Sequence, residues 1–232
     1  MRKYGFDNEN GTTFSHGLRF LEFPQFDYGY EVIENKVIPG RVGTLTVRTG
    51  RCTDTTITNV LEFTSDTVEM FETKLNEIKK WLMETQKLVY TDKEDRFFLV
   101  KKVEFSNVKR KYGVFGNITV VFTCEPFAYF RCGEYEVDID NVYNSFSWAQ
   151  PVYKITGDGI CTLTVNGKSL IANVSGDLSI DTEKMICYRR DGTSQNTAVS
   201  GNYEDLFLQE GENVISVTDG FECKVVPRWR CL

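Results

Sequence analysis

The sequence predicts a mainly β protein with one helix: an α+β N-terminal domain, in which the helix lies on a β-sheet, followed by a C-terminal β-sandwich. Aromatic residues are abundant, with 17 Phe and 11 Tyr, which is typical of β-rich proteins. One segment has helical periodicity, and short β-rich runs separated by turns fill much of the rest. At roughly 100–200 residues per domain, the 232 residues form one large or two small domains.

The first strands are predicted around a Pro-Gly turn. Val37-Ile38 precede Pro39-Gly40, and this dipeptide is a strong turn signal. Residues 43–49 then alternate between polar and apolar side chains, and residues 55–63 are dense in β-branched residues. Both patterns predict strands.

One helix is predicted over residues 66–87. Asp66 is a candidate N-cap, with Glu69 three residues later as in a capping box. Trp81 lies at the edge of an apolar stripe that lasts about two heptads, so packing against a sheet is favoured over a coiled coil. The stripe consists of apolar residues spaced three and four apart: Val68, Phe71, Leu75, Ile78 and Leu82.

Further strands are predicted after the helix, and together these elements define an N-terminal domain of residues 1–135. A polar turn at 92–95 separates the first two strands, and Glu125-Pro126-Phe127 is predicted to end the last one. The predicted strands are residues 87–90, 96–100, 103–105 and 116–124.

The C-terminal region has a different pattern. Residues 136–150 are polar and aromatic and are predicted to form a linker, so the second domain spans residues 151–232. Asn166-Gly167 lies between two β-rich runs and is a strong hairpin signal. Regular short β-rich runs with no evident helix favour an all-β sandwich. The runs are 153–156, 161–165, 168–171, 178–180, 185–188, 213–217 and 222–226.

Charge is distributed unevenly along the chain. Residues 1–135 carry 19 Lys+Arg and 19 Asp+Glu, whereas residues 136–232 carry 8 and 14, which accounts for the net charge of −6. An acidic C-terminal half argues against nucleic-acid binding, because phosphate binding needs excess Lys and Arg. The sequence contains no run of 18 apolar residues and no signal-peptide pattern, so we expect no membrane span and folding in a cytoplasm.

The residues that carry chemistry are few, so we predict no enzymatic activity. His16 is the single histidine, and any Ser-His-Asp or Cys-His arrangement would have to use it. The seven cysteines are scattered without CxxC spacing, which favours reduced thiols over a zinc site or a disulfide framework. Two carboxylate pairs, Asp138 with Asp140 and Asp177 with Asp181, are interpreted as solvated turn residues. We therefore expect no cofactor and no metal.

Sugar binding by the C-terminal domain is an open alternative. Five aromatic side chains there are candidates for stacking on a sugar ring, although most are also candidates for the core. The sequence does not rank them: Trp148, Tyr153, Tyr188, Tyr203 and Trp229.

The order of several short motifs resembles that of the distal tail proteins of long-tailed bacteriophages. Pro39-Gly40-Arg41-Val42-Gly43 is followed by Arg48-Thr49-Gly50, and the helix ends in Trp81-Leu82. The resemblance then extends over nearly the whole chain. It continues with Leu88-Val89-Tyr90, the turn 92–95, Arg96-Phe97-Phe98, the segment 122–127, the opening 151–157 of the second domain, the turn 211–213 and the ending 227–230.

This resemblance implies a structural role. The N-terminal domains would form a homo-hexameric ring at the end of the tail tube, joining the tail tube protein to the tail-tip or baseplate proteins. The C-terminal domain would be a galectin-like or carbohydrate-binding-module-like sandwich that points outward. The location implied is the tail tip of a virion assembled in the host cytoplasm, with a host glycan as a possible further partner. Arg41, Trp81 and Trp229 are the predicted assembly or interdomain residues, and the last residues are predicted to return to the first domain.

Overall fold

The computed structural model describes residues 4–232, and the chain divides into two compact units. Unit 1 comprises the described residues up to Ala128 together with Leu232, and unit 2 comprises Tyr129–Cys231. The predicted mainly β fold with one α-helix is confirmed for the described part of the chain. The division lies at 128/129, earlier than the predicted linker 136–150, because residues of that segment pair with strands of unit 2.

Unit 1 contains ten strands and helix α1 among its described residues. The sheet has the order β2-β1-β8-β9-β10-β7-β3, β4 also pairs with β7, and β5 and β6 form a separate two-stranded sheet. The last two residues of β10 belong to unit 2. The elements are β1 Phe6–Asn8, β2 Gly11–Thr12, β3 Arg19–Phe20, β4 Gln25–Asp27, β5 Glu31–Val37, β6 Thr44–Cys52, β7 Thr55–Thr64, α1 Phe71–Met83, β8 Lys87–Tyr90, β9 Arg96–Lys111 and β10 Phe115–Phe130.

Helix α1 begins later than the sequence pattern predicts. Asp66 is not its N-cap, because the helix begins at Phe71 after Met70, and Val68 is 53% exposed rather than part of the buried stripe. Residues 65–70 are instead bonded to the end of β9 and to the β9–β10 turn. The Ser65 amide donates to the Val114 carbonyl at 2.9 Å, and the Arg110 guanidinium donates to the Val68 carbonyl at 2.6 Å.

The core of unit 1 is strongly aromatic. Alternate residues of β7 are buried, and helix α1 packs its stripe against the same layer, with the Phe63 and Phe71 ring centroids 5.2 Å apart. The Tyr90 hydroxyl lies within this core and donates to Asn59 Oδ1 at 2.8 Å, which satisfies a buried polar group. Further rings in contact are Tyr4, Phe6, Phe20, Phe26, Phe98 and Phe122.

The later strands of unit 1 are longer than predicted. Residues 96–100 and 103–105, expected as two strands, belong to the single 16-residue strand β9. Pro126 does not end β10, which continues to Phe130. Proline lacks an amide donor but retains its carbonyl, and that carbonyl accepts a 2.9 Å hydrogen bond from the Thr55 hydroxyl.

Unit 2 is built around a long hairpin. Strands β13 and β14 pair over 14 residues on each side of the predicted Asn166-Gly167 turn, whose positive φ values of 51° and 82° fit a type I′ hairpin turn. The seven-stranded sheet has the order β11-β19-β13-β14-β15, with β16 on β14 and β18 on β13, and β12 pairs with β17. The strands are β11 Val137–Asp138, β12 Val142–Asn144, β13 Val152–Val165, β14 Lys168–Asp181, β15 Ile186–Tyr188, β16 Val199–Ser200, β17 Gly211–Asn213, β18 Ile215–Val217, β19 Glu222–Val226 and β20 Arg230–Cys231.

Short 3-10 helices and one buried cluster complete unit 2. The predicted runs 153–156 and 161–165 form the single strand β13, and the runs 168–171 and 178–180 form β14, because pairing continues through Gly157 opposite Gly176. Four 3-10 helices span Arg131–Glu134, Ile139–Asn141, Asn196–Ala198 and Tyr203–Leu206. The core is mainly aliphatic and includes Ile155, Leu163, Val165, Leu170, Leu178, Ile180, Leu206, Leu208 and Val225.

A partly buried ion pair fastens the end of unit 2. Asp181 is 1% exposed, and both of its carboxylate oxygens accept hydrogen bonds of 2.9 Å from the Arg228 guanidinium. Arg228 also donates to Glu183 at 2.9 Å. A bidentate pair of this kind ties residues 227–231 to the end of β14.

Candidate functional sites

The β5–β6 hairpin of unit 1 is largely exposed. It forms its own two-stranded sheet, and none of its residues is fully buried. Apolar side chains nevertheless lie exposed along it and around its turn. An exposed apolar group of this kind is a feature of interaction surfaces. These side chains are Ile33 (48% exposed), Val37 (82%), Ile38 (40%) and Val42 (102%).

The predicted Pro39-Gly40 turn lies at the tip of this hairpin. The Arg41 amide donates to the Ile38 carbonyl at 3.1 Å, and Gly40 has a φ of +81°, as a type II turn requires at that position. The Arg41 side chain is exposed at the tip. Its position fits an assembly contact, and that role stays a prediction.

Trp81 lies inside unit 1. It is 4% exposed, its indole Nε1 donates to Asn8 Oδ1 at 3.0 Å, and its ring stacks on Phe6 and His16 at 5.6 and 4.3 Å. These contacts fasten the N-terminal segment to helix α1. A separate role for Trp81 in assembly stays a prediction.

Trp229 lies in the core of unit 2. It is 8% exposed and belongs to the buried cluster, and its carbonyl accepts a 2.8 Å hydrogen bond from the Phe130 amide. Its contacts within unit 2 explain its burial. The interdomain role predicted for it is a hypothesis that the truncation of residues 227–232 would test through thermal stability.

His16 lies against helix α1 rather than in a catalytic arrangement. Its ring stacks on Trp81, and it has a hydrogen bond with the backbone of Asn10. Burial and the nearby positive charge of Lys74 lower its pKa from 6.5. The neutral ring is therefore the favoured form, which suits an aromatic stack.

The two carboxylate pairs differ in environment. Asp138 and Asp140 are exposed, and Asp181 is engaged by Arg228. Burial raises the pKa of Asp181, but the hydrogen bonds from Arg228 and the Lys184 amide outweigh it and hold the pKa below 3.8. Asp177 accepts a 2.6 Å hydrogen bond from the Arg190 amide and borders a cavity. Asp181 thus has a structural role, and the solvated interpretation does not fit it.

All seven cysteines are free thiols, and four of them are buried. Burial raises the pKa of Cys124 and of Cys223 to about 12. Thiols of this kind are inert and pack as small hydrophobes. Within residues 4–232, no group of three or more His, Cys, Asp or Glu side chains is placed to hold a metal ion.

Residues 4–232 include no helix with the length and apolar character needed to cross a membrane.

The five aromatic candidates for sugar stacking occupy different environments. Tyr153 is 0% exposed and Trp229 is in the core. The Tyr203 hydroxyl contacts Cys187 Sγ at 3.3 Å, and Trp148 is covered by the Arg230 guanidinium 4.0 Å from its ring centroid. Tyr188 alone of the five lines a cavity among the described pockets.

A second exposed apolar surface, mainly aromatic and called the aromatic surface below, was not predicted from the sequence. It lies on residues 21–30, next to the short strands β3 and β4. The sequence does contain a signal for this surface, because aromatic residues recur beside Pro24 and Gly29 in a segment that lacks regular helix or strand periodicity. Its exposed members are Leu21 (47%), Phe23 (76%), Tyr28 (51%) and Tyr30 (66%).

Comparison with solved structures identifies proteins of similar fold. The chain is similar to the crystal structure of the Dit protein of phage SPP1, described as a paradigm of the hub adsorption apparatus in phages that infect Gram-positive bacteria. The TM-score is 0.67 at 12% identity, and the similarity covers 100% of both chains. The whole chain therefore has the fold of that protein.

Two further structures are similar at a lower level. Both are phage P2 baseplates in the activated conformation, one with Ca and one with Sr, each with a TM-score of 0.49 and 12% identity. The first similarity covers 100% of this chain and 98% of the other, and the second covers 97% of each. No protein-family model matches the sequence, and no curated protein matches it.

Proposed function

We propose that this chain is a structural hub protein of a phage tail, a distal tail protein without enzymatic activity. The observation that carries the proposal is the similarity to the SPP1 Dit protein over the full length of both chains, with a TM-score of 0.67. A fold hosts many functions, so the proposal also draws on the exposed surfaces of unit 1. The motif order seen in the sequence supports the same role.

The proposed assembly is a ring of six copies, in which unit 1 forms the ring. A closed ring needs two different faces on each subunit, because each subunit contacts one neighbour on either side. The β5–β6 hairpin supplies one such face. An isolated two-stranded hairpin is marginally stable in water, and its apolar tip would gain from being covered by another copy.

The aromatic surface on residues 21–30 is the proposed second face. The hairpin region 31–52 carries four basic residues and two acidic ones. The aromatic surface and the turn 92–95 carry Glu22, Asp27, Asp92, Glu94 and Asp95 against Lys93. Opposite charge around apolar centres favours a hairpin-to-aromatic contact between successive copies.

The ring is proposed to join the tail tube protein to a tail-tip or baseplate protein at the tail tip of a virion that is assembled in the host cytoplasm. We assign it no nucleic-acid, membrane or cofactor partner. The neutral balance of residues 1–135 avoids strong repulsion when copies meet. Sugar binding by unit 2 is the second function considered, and it would depend on the cavity that Tyr188 lines in that unit.

Paired substitutions test the assembly surface. Val42→Asp and Val37→Asp place a charge on the hairpin tip, and we expect them to reduce the assembled mass to that of the 26.7 kDa chain in light scattering. Ile160→Asp is the matched control, since Ile160 is 72% exposed on a strand of unit 2. The control should assemble as the unsubstituted chain does. Equal assembly of hairpin and control variants would contradict the assignment of the hairpin.

A further inference from the structure

Strand β9 of unit 1 has an open edge over most of its length. Strand β10 lies along one side of β9, and β8 lies along the other side only at the start of the strand. On that side the Val100 amide donates to the Gln86 carbonyl at 2.7 Å. Beyond Val100, no strand among the described residues pairs with this side of β9. We call residues 101–111 on this side the β9 edge.

Backbone groups of the β9 edge point away from the sheet. Hydrogen bonding alternates along an antiparallel strand, so successive amides point to opposite sides. Because the Val100 amide points to the open side, the amides of Lys102, Glu104 and Ser106 do so as well. Exposure also alternates over residues 102–106, as expected for a regular strand. The edge therefore offers a row of backbone donors and acceptors to a further strand.

The β9 edge is strongly basic. Residues 101–111 contain five Lys or Arg residues and one Glu. Lys101 and Lys102 lie 2.7 and 2.8 Å from carboxylate oxygens of Asp54 and Glu104. Lys109 and Lys111 are exposed and have no ion-pair partner among the described residues. Lysines on an edge strand oppose pairing with another edge of like charge.

This charge disfavours two occupants from a second copy. Pairing of two β9 edges would place five basic residues against five. The β5–β6 hairpin is also basic, with four basic residues and two acidic ones over 31–52. Like charges that face each other across a strand pair are destabilising, whereas opposite charges are favourable. The complementary occupant is therefore an acidic segment of another protein.

Exposed aromatic side chains lie at the distal end of the β9 edge. Tyr112, in the β9–β10 turn, is 91% exposed, and Phe115, the first residue of β10, is 48% exposed. Tyrosine is enriched among the residues that contribute most to protein interfaces. In strand addition, backbone hydrogen bonds provide affinity and side chains provide specificity. We propose that the β9 edge binds an acidic, extended segment of a partner protein as an additional strand of the unit 1 sheet.

This proposal goes beyond the proposed hub function, which concerns contacts between copies. The β9 edge shares no residue with the β5–β6 hairpin or with the aromatic surface on residues 21–30. A chain that forms no ring would still present the edge, and a ring whose edge binds nothing would still be a hub. The two proposals therefore fail separately.

A peptide library tests the proposal on the full chain. Its peptides are as long as the β9 edge, with Glu at every second position and Val, Ile, Thr or Tyr at the others. We expect at least one peptide to bind with a Kd on the order of 100 μM or tighter. Hydrogen exchange followed by mass spectrometry should show that the bound peptide protects amides of residues 101–111.

A proline substitution tests the backbone contacts. Ser106→Pro removes an amide that points outward, and proline is tolerated on an edge strand where its missing N–H faces solvent. It should weaken peptide binding about tenfold or more. Ser106→Ala is the matched control, because it retains the amide and should retain binding. Thermal unfolding of both variants checks that the sheet is intact.

A charge substitution tests the edge without changing its backbone. Lys109→Glu places a negative charge where the peptide carboxylates are expected, and it should also weaken binding about tenfold. Lys80→Glu is the control, since Lys80 is exposed on helix α1. If Ser106→Pro did not fold, this pair of variants would still decide the question.

Four results would overturn the proposal. In the first, no peptide of the Glu library binds. In the second, a library with Lys in place of Glu binds equally well. In the third, the edge variants bind the peptide as tightly as their controls. In the fourth, an oligothymidylate binds the β9 edge more tightly than every peptide, which would identify a general polyanion site instead of a strand-addition site.

Discussion

The tetrapeptide Thr-Leu-Thr-Val occurs twice, at residues 44–47 in β6 and at residues 162–165 in β13, and its two copies differ in environment. Leu163 and Val165 are 0% exposed, whereas Leu45 and Val47 are only half-buried. Strand β13 lies in a seven-stranded sheet over an aliphatic core, while β6 pairs with β5 in a two-stranded sheet. Alternation predicts a strand, but it does not specify what covers the apolar face.

This difference separates unit 2, which covers its own apolar residues, from a hairpin whose apolar side chains are only half-buried or exposed among the described residues. Burial of a Leu or Val side chain contributes about 1.5–3 kcal/mol. Unit 2 gains that stabilisation within one copy, and the hairpin would gain it on assembly. The predictions below measure the two cases against each other.

The largest expected effect comes from truncating the two equivalent leucines. Leu163→Ala should lower the free energy of unfolding by about 2–5 kcal/mol, because it leaves a cavity in a closed core. Leu45→Ala should change it by less than about 0.5 kcal/mol in the monomer, since the side chain lacks a covering layer. Denaturant unfolding at concentrations where both variants are monomeric checks this. Equal losses would mean that unit 1 already covers its hairpin.

The next prediction compares the stability contributed by one ion pair of unit 2 with that of one ion pair in the β5–β6 hairpin. Arg228→Met leaves the buried Asp181 carboxylate without its guanidinium and should cost roughly 3 kcal/mol, the lower end of the range for breaking a buried pair, since the Arg228 side chain is 23% exposed. Arg48→Met breaks an exposed pair with Glu31 in the hairpin, at 3.3 Å, and should cost about 0.5 kcal/mol or less. Thermal unfolding would contradict the contrast if the two losses were similar.

The same Asp181 carboxylate should make unit 2 sensitive to acid. Its pKa in the folded protein is held below the ordinary value of 3.8, so its stabilising contribution is complete above pH 3.8 and is lost as the pH falls through the lower folded value. Hydrogen exchange followed by mass spectrometry should show unit 2 peptides opening in that window. Asp181→Asn should remove that pH dependence, and an unchanged profile in this variant would refute the assignment.

The smallest effect is expected at His16 in unit 1. Burial and Lys74 lower its pKa, so the linked stability is complete above pH 6.5 and is lost as the pH falls through the lower folded value. An NMR titration of this single histidine should give a pKa below 6.5. Lys74→Met should bring the value closer to 6.5, whereas Lys80→Met is the control. A pKa at or above 6.5 in the unsubstituted chain would contradict the assigned effects of burial and of Lys74 on His16.

Much of the fold follows from local patterns. The turns at Pro39-Gly40 and Asn166-Gly167 were predicted correctly, because their backbone conformations need glycine. The start of helix α1 was not, because Ser65 bonds to the β9–β10 turn and Val68 bonds to Arg110 at the end of β9, both distant in sequence. Strand ends were also missed at Pro126 and Gly157, where partners across the sheet override the local breaker.

The candidate sites were less accessible from sequence than the fold. The Pro39-Gly40 turn predicted that Arg41 lies at the tip of a hairpin. The sequence did not predict that the hairpin is exposed, because this depends on whether other described residues form a layer over it. Tyr188 was one of five equivalent aromatic candidates. Only the register that aligns Lys154, Ser179 and Tyr188 distinguishes it, and that pairing joins residues far apart in the chain.

The mass of the purified full chain tests the central claim most directly. Light scattering over a range of concentrations, with electron microscopy of the same sample, reports both copy number and symmetry. We predict a mass six times that of the 26.7 kDa chain and a particle with sixfold symmetry. A mass of 26.7 kDa at every concentration, or an assembly without a closed ring, would contradict the proposed hub.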